Sequence, residues 1–196
     1  MAGQFREGLK EQWERVRAGF GGRPAFDSMT ALYHAELHEL HNAEQQLGAL
    51  ADEVWVSVRN GPLADRLSDY AGALRVREAE LRSMLSATGA NLRERPDEVM
   101  RALVEKASKT AEQSSINVRD AALVAALQRI IHYMIAEYGT LAAHAKALGR
   151  TQEAAHFAQQ ANLDKDVDRE LSELAKSTLN PEATVTPEPQ GKTRGH

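Results

Sequence analysis

Four carboxylates lie at positions from which they could bind a metal ion together. Glu44 falls in the middle of the apolar stripe of the first long predicted helix, and Glu78 falls on that of the second. Asp164 and Asp168 are four residues apart on the fourth, so they share one helix face. Because a buried charge is costly unless it is paired or binds a metal, all four are candidate metal ligands.

Carboxylates on facing helices build di-iron and di-manganese sites in helical bundles. The complete ligand pattern is a Glu from each of two helices and a Glu-x-x-His from each of the other two. The second and third long predicted helices contain no Glu-x-x-His, so the complete pattern is absent. The spacing alone therefore favours a structural alternative, in which Glu44 accepts hydrogen bonds from Tyr70 or Tyr138. In that alternative the two aspartates lie at the rim of the bundle beside Arg or Lys.

A second group with metal-ligand spacing is formed by His34, His38 and His41, at steps of four and three. At about 100° per residue these histidines lie about 100° away from the stripe that holds Glu44. We therefore expect them on a side face, solvated or in a subunit contact, and not as ligands. The later histidines are expected at the surface or rim: His132, His144 and His156.

The elements that position these residues are helices. Proline breaks helix interiors but suits the first helical turn, and the body contains only Pro24, Pro62 and Pro96. Alternating strand patterns are nearly absent. Ser28 and Asn117 are predicted N-caps. The predicted long helices span about 28–58, 62–88, 118–148 and 151–177, and a short helix follows residue 96.

The connections between these helices predict an all-α fold, a ferritin-like four-helix bundle. Two loops are short and make antiparallel neighbours, whereas the second and third long helices are joined by a long crossover that contains the short helix. The predicted core includes Tyr33, Leu37, Trp55, Ile131, Met134 and Phe157.

The chain divides into three predicted regions. Residues 1–23 place apolar side chains at helical spacing and form an amphipathic extension with mixed charge, which makes membrane binding a weak alternative to packing on protein. Residues 27–178 form the bundle. Residues 179–196 are polar and proline-rich, and we expect them to be disordered.

Composition excludes several classes of protein. The 196 residues are 42% hydrophobic and 27% charged, enough for a core, and no cysteine is present for a disulfide or a thiolate site. The net charge of -4 argues against a nucleic-acid binder. No apolar run is long enough to span a bilayer, and the start of the chain lacks the apolar segment of a signal peptide, so we expect a cytoplasmic protein.

Two segments resemble the YciE/YciF family of ferritin-like bacterial stress proteins. They are LYHAELHELHNAEQQL in the first long helix and NVRDAALVAALQRIIHYMIAEYGTLAAHAKALG in the third, and the resemblance covers residues 27–178. It implies a ferritin-like bundle, often dimeric, with a di-metal site and a role under osmotic or related stress.

Compared with the family pattern, the site is incomplete. Glu44 keeps the ligand of the first helix, and Asp164 and Asp168 keep part of the acidic cluster of the fourth. The family's Glu-His-Tyr-Glu of the third helix is replaced, because Ile131 and Met134 stand where both acids are expected. The second-helix His and Glu-Thr are matched here by Tyr70, Ala73 and Leu74.

Two functional hypotheses follow. In the first, the protein is a stress-associated structural or interaction protein, a homodimer without catalysis or cofactor, whose di-metal site is degenerate. In the second, Glu44, Glu78, Asp164 and Asp168 bind iron or manganese, and the protein is an oxidoreductase or metal-handling protein acting on peroxide or oxygen. The loss of acids at Ile131 and Met134 favours the first hypothesis.

Overall fold

The computed structural model describes residues 26–88 and 95–185, and within them it contains helices and no strand. The predicted extension 1–23 and residues 186–196 of the predicted tail lie outside the described residues. The α-helices are α1 Met29–Val54, α2 Gly61–Ala87, α3 Glu98–Gln113, α4 Arg119–Ala147, α5 Thr151–Leu174 and α6 Asn180–Ala183. A 3-10 turn, Trp55–Ser57, follows α1, and a π turn, Ala175–Leu179, joins α5 to α6.

Side-chain caps start three of these helices. The side chains of Ser28, Asn60 and Asp97 each accept a hydrogen bond from the backbone N–H three residues later, at 3.1, 3.1 and 2.8 Å. These bonds satisfy donors that a helix N-terminus leaves unpaired. The prediction that Asn117 caps α4 is wrong, because Val118 takes that position and its side chain makes no capping bond.

The turn between α4 and α5 depends on glycine. Gly149 has a φ of 73°, the left-handed region in which a side chain is strained. Its N–H donates to the Lys146 carbonyl at 3.1 Å, and the Arg150 N–H donates to the Ala145 carbonyl at 2.8 Å. This closure of the last turn of α4 allows α5 to start at once and to pack antiparallel to it.

Side-chain contacts between the long helices define the topology. In four helix pairs the residue numbers rise along one helix as they fall along its partner, so each pair is antiparallel. Helix α1 contacts α4 through residue pairs 36–144 and 44–138, and it contacts α2 through pairs 41–78 and 52–75. Helix α5 contacts α2 through pairs 66–170 and 80–156, and it contacts α4 through pairs 128–172 and 132–168. The crossover therefore links α2 and α4 at diagonal corners, and the predicted ferritin-like bundle is confirmed.

Helix α3 belongs to the crossover and packs on α1 and α4. Its first turn is fixed to both, because the Asp97 N–H donates to Asn42 Oδ1 at 2.8 Å and Asp97 Oδ2 accepts from the Tyr133 hydroxyl at 2.8 Å. Gln46 donates to the Asp97 carbonyl at 3.0 Å. Asp97 thus caps α3 and joins it to two long helices.

The predicted core is confirmed, and the bundle extends further than expected. All six predicted core side chains are buried: Tyr33, Leu37, Trp55, Ile131, Met134 and Phe157. The helix after α5 continues to Ala183, and Leu179 is 3% exposed, so the predicted end of the bundle at 178 is too early. No described helix combines the length and the apolar content that a bilayer span requires.

Candidate functional site

An arginine that sequence analysis did not single out lies at the centre of the bundle. The Arg77 guanidinium donates to Asp164 Oδ1 at 2.8 Å through Nη2, and its Nη1 lies 3.5 Å from Glu44 Oε1. The side chains of Arg77, Glu44 and Asp164 are 4%, 0% and 0% exposed. Helices α2, α1 and α5 each supply one of these groups, so the ion network joins three of the four long helices.

Two tyrosines complete this centre. Tyr138 of α4 donates to Glu44 Oε1 at 2.5 Å, and Tyr70 of α2 donates to Asp164 Oδ1 at 3.1 Å. The guanidinium carbon of Arg77 lies 5.5 Å from each of the two ring centroids, within the range of cation–π attraction. We call Glu44, Tyr70, Arg77, Tyr138 and Asp164 the arginine centre.

Burial dominates the proton equilibria of the carboxylates in the arginine centre. It raises the pKa of Glu44 to about 7 despite the opposing effects of Arg77 and of the Tyr138 hydrogen bond. Burial also raises the pKa of Asp164, again against Arg77. The pKa of Glu44 therefore lies close to neutral pH.

The cation and the hydroxyl donors keep their protons. Burial alone would lower the pKa of Arg77, but the neighbouring Asp164, Tyr70 and Glu44 raise it above its ordinary value. Burial and the nearby carboxylates raise the pKa of Tyr70 and Tyr138 well above the usual range. The arginine centre is thus a permanent cation between two carboxylates, with two neutral donors beside it.

The donor set of the arginine centre does not fit a dinuclear metal site. Glu44 Oε2 and Asp164 Oδ2 are buried and accept no hydrogen bond from the described residues, so two carboxylate oxygens remain. On α4, however, Ile131 and Met134 are buried apolar residues and carry no ligand atoms of the required kind. Within residues 26–88 and 95–185, no group of three or more His, Cys, Asp or Glu is arranged to hold a metal ion.

Of the four predicted ligands, the structure brings only Glu44 and Asp164 together. The prediction that Glu78 faces the interior is wrong: its side chain is 17% exposed and accepts from His41 at 2.8 Å, Arg82 at 2.5 Å and Gln45 at 3.3 Å. The core position in this turn of α2 belongs to Arg77. Glu78 therefore contacts polar side chains on the α1–α2 side of the bundle.

Asp168 lies one turn beyond Asp164 and does not reach the arginine centre. Its side chain is 22% exposed, accepts from Gln128 Nε2 at 2.9 Å and lies 3.1 Å from His132 Nε2. The rim position matches the structural alternative for Asp168, although its partners are glutamine and histidine. The structural alternative also predicted Asp164 at the rim. That prediction is wrong, because the Asp164 side chain is buried in the interior and bonded to Arg77.

Of the two alternatives for the α1 histidines, the solvated face does not fit His38, and the subunit contact stays a prediction. His38 is 9% exposed, and His41 Nε2 contacts Glu78 Oε1 at 2.8 Å. Elsewhere the rim prediction agrees with the contacts, since His144 pairs with Glu36 at 2.6 Å. In the remaining two pairs, His132 lies beside Asp168 and His156 lies 3.7 Å from Glu80.

A signal for Arg77 was present in the sequence. The buried positions of α2 are Leu63, Leu67, Tyr70, Leu74, Arg77, Leu81 and Leu85. Up to Leu81 they alternate steps of four and three, as a stripe packed against neighbouring helices does. A step of three from Leu74 gives Arg77, whereas the step of four that we used gives Glu78.

Comparisons with known proteins agree with this architecture. Residues 28–184 match the sequence model of a family described as a domain of unknown function, DUF892. Protein YciF of Escherichia coli strain K12 is 41% identical over 85 residues, which is 43% of this chain and 51% of that protein. The aligned region thus spans about half the length of this curated relative.

Two solved structures share the fold. The crystal structure of the E. coli stress protein YciF superposes with a TM-score of 0.72 at 26% identity, covering 79% of this chain and 99% of that chain. A structure described as YcfI, a putative structural protein from Rhodopseudomonas palustris, gives a TM-score of 0.69 at 26% identity, covering 74% and 94%.

Proposed function

The chain belongs to the DUF892 family, and from that premise we propose that it is a stress-associated structural protein whose bundle is held together by the arginine centre. In this proposal a buried guanidinium takes the role that a pair of metal ions has in ferritin-like metalloproteins. The observation that carries the proposal is the position of Arg77 between Glu44 and Asp164.

Charge balance supports this role for Arg77. Two buried carboxylates cannot stay ionised together in an apolar bundle without a nearby cation. Arg77 supplies that cation through bonds to both, and its planar fork suits carboxylates better than a lysine ammonium would. A divalent ion at the same place would be repelled by the guanidinium and would find no carboxylate ligand at Ile131 or Met134 of α4.

The resemblance to YciE/YciF proteins supports a degenerate metal site. Both acids expected on the third long helix are replaced by Ile131 and Met134, which pack in the core. Replacing buried charges by well-packed apolar side chains is often neutral or stabilising. Apolar core residues at the positions of two expected metal ligands therefore fit a bundle with a structural role.

The competing hypothesis of a metal-dependent oxidoreductase required Glu78 to replace the lost acids. Glu78 instead contacts His41, Gln45 and Arg82 away from the arginine centre. The position of Glu78 therefore supports the structural proposal over this hypothesis.

A structural role includes assembly, and we extend the proposal to a cytoplasmic homodimer. The names of two structural relatives, a stress protein and a putative structural protein, are consistent with a non-catalytic role. Sedimentation equilibrium of the full chain tests the assembly. A mass of twice 21.6 kDa supports the dimer, and a monomer at every accessible concentration contradicts it.

The metal part of the proposal is tested by the effect of metal on stability. A resident metal stabilises the folded state by about 2.7 kcal/mol at one hundred times its Kd, which corresponds to about 5–10 °C in a domain of this size. We expect the thermal midpoint to be unchanged when Mn²⁺, Fe²⁺ under anaerobic conditions or EDTA is added. A rise of several degrees that is lost in Glu44→Ala would contradict the proposal.

A further inference from the structure

A cavity on the α1–α2 side of the bundle is lined by cationic and histidine side chains. It has a volume of about 300 Å³, and its polar lining includes His38, His41 and Gln45 of α1, Arg82 of α2 and Arg95 before α3. No carboxylate is among the described residues that line it. We call this cavity the histidine pocket.

His38 is a buried imidazole that lines the pocket. Its side chain is 9% exposed and forms no hydrogen bond with the described residues. Burial lowers the pKa of His38, and the charges of His41, Arg95 and His34 lower it further. An anion in the histidine pocket would raise the pKa of His38, because its charge would oppose those of the neighbouring groups. It would also accept a hydrogen bond from the imidazole.

Arg82 and Arg95 line the pocket, and both side chains are exposed to solvent. Arg82 is 63% exposed and pairs with Glu78 one turn before it, which is a surface contact of the weak kind. Arg95 is 42% exposed, and its Nε lies 3.5 Å from Glu39. The guanidinium carbon of Arg95 lies 5.0 Å from the centroid of the Phe26 ring, which orients the group and leaves its edges able to donate.

We propose that the histidine pocket binds a phosphate group, either as inorganic phosphate or as a small phosphomonoester. Glu78 Oε1 already accepts from His41, Gln45 and Arg82, and Glu39 lies 3.5 Å from Arg95, so a phosphate group would compete with these two carboxylates. A phosphate dianion carries more charge and more acceptor oxygens than either carboxylate, and each guanidinium has further N–H donors to offer it. A cavity of about 300 Å³ has room for the phosphate and a small substituent. The proposal is independent of the arginine centre, because none of the five residues of that centre lines the pocket.

The test is calorimetric titration of the full chain with inorganic phosphate and, separately, with glycerol 1-phosphate at constant ionic strength. We expect saturable binding of at least one of them, weakened at least tenfold in Arg82→Gln and in Arg95→Gln. Arg75→Gln is the matched control, because Arg75 is 66% exposed on the same helix and pairs with Asp52 across the α1–α2 seam. It should bind as the wild type does.

An NMR titration of the His38 ring gives a readout that surface charge alone would not move. We expect saturating phosphate to raise the pKa of His38, and we expect the shift to vanish in Arg95→Gln. Tight binding of phosphate alone identifies the free ion as the ligand, and tighter binding of the ester identifies a phosphomonoester. Binding that does not saturate, or that falls equally in Arg75→Gln, overturns the proposal.

Discussion

The Arg77 guanidinium of α2 donates to the Asp164 carboxylate of α5 at 2.8 Å, with both side chains at most 4% exposed. This bond joins α2 and α5, which are separated in sequence by α3 and α4 and are neighbours in the bundle. Glu44 of α1 receives the second, longer contact of the same guanidinium. The centre of the fold thus depends on one cation shared among three helices.

Replacing Arg77 by Met is expected to destabilise the protein strongly. The change keeps the length and apolar body of the side chain but leaves Glu44 and Asp164 buried without their cation, and breaking a buried pair in this way costs about 3–5 kcal/mol. Urea unfolding followed by circular dichroism measures the difference. Arg75→Met, on the exposed face two residues earlier, should change the free energy of unfolding by about 0.5 kcal/mol or less.

Neutralising the two carboxylates should rescue Arg77→Met. In the triple variant Glu44→Gln, Arg77→Met, Asp164→Asn the arginine centre carries no charge, and the amide oxygens can still accept from Tyr138 and Tyr70. We expect it to recover at least half of the stability lost in Arg77→Met. Equal losses in the single and the triple variants would show that lost packing, and not unpaired charge, destabilises Arg77→Met.

Asp97 should matter more than an ordinary N-cap. In Asp97→Ala, α3 loses its capping bond, and the Tyr133 hydroxyl loses one of its two carboxylate partners. A cap contributes about 1 kcal/mol and a hydrogen bond to a charged group about 1.5–3 kcal/mol, so we expect a loss of about 2–4 kcal/mol. Ser28→Ala, which removes a cap alone, should cost about 1 kcal/mol.

Hydrogen exchange of the α3 amides distinguishes the two roles of Asp97. If Asp97 joins the crossover helix to α1 and α4, its removal should increase exchange along the whole of α3. An increase confined to the first turn of α3 would mean that Asp97 acts only as a cap.

Glu137 of α4 is expected to make stability depend on pH. Burial raises its pKa from 4.5 to about 7, and the negative charges of Asp97, Glu36 and Glu39 add to this against the hydrogen bond from Tyr133. The folded state then holds a proton between about pH 4.5 and 7 that the unfolded chain releases, so its stability falls as the pH rises through this window. Above that window the contribution is constant.

The Glu137→Gln variant tests this dependence. After allowance for solvent screening, we expect it to exceed the wild type in stability at pH 8 by about 1–2 kcal/mol, with little difference at pH 4.5. Glu53→Gln, an exposed change on α1, is the control and should leave the pH profile unchanged. A constant difference between Glu137→Gln and wild type from pH 4.5 to 8 would contradict the assignment.

The fold could be predicted from the spacing of apolar residues and from the positions of proline and glycine, because these signals act locally. Pro62, Pro96 and Gly149 mark helix boundaries through backbone restrictions that do not depend on distant contacts. Core residues such as Leu37 and Met134 were predictable for a related reason, since an apolar stripe must be buried somewhere in a single-domain bundle.

The candidate site was predicted less well, because burial of charge depends on the neighbouring helices. Glu44 and Asp164 were found as acids on apolar stripes, but the partner that allows their burial lies on α2, and its position depends on the axial offset between helices. The predicted apolar stripe of α2 passed through Glu78 and not through the adjacent Arg77. The sequence did contain the alternating spacing that selects Arg77.

The most direct test of the account is the metal content per chain of untagged protein, before and after reconstitution with iron or manganese, for the wild type and for Glu44→Ala and Asp164→Ala. We predict that all three proteins contain far less than one metal ion per chain and that the two variants do not differ from the wild type. One or more ions per wild-type chain, lost in both variants, would contradict the claim that Arg77 replaces the metal.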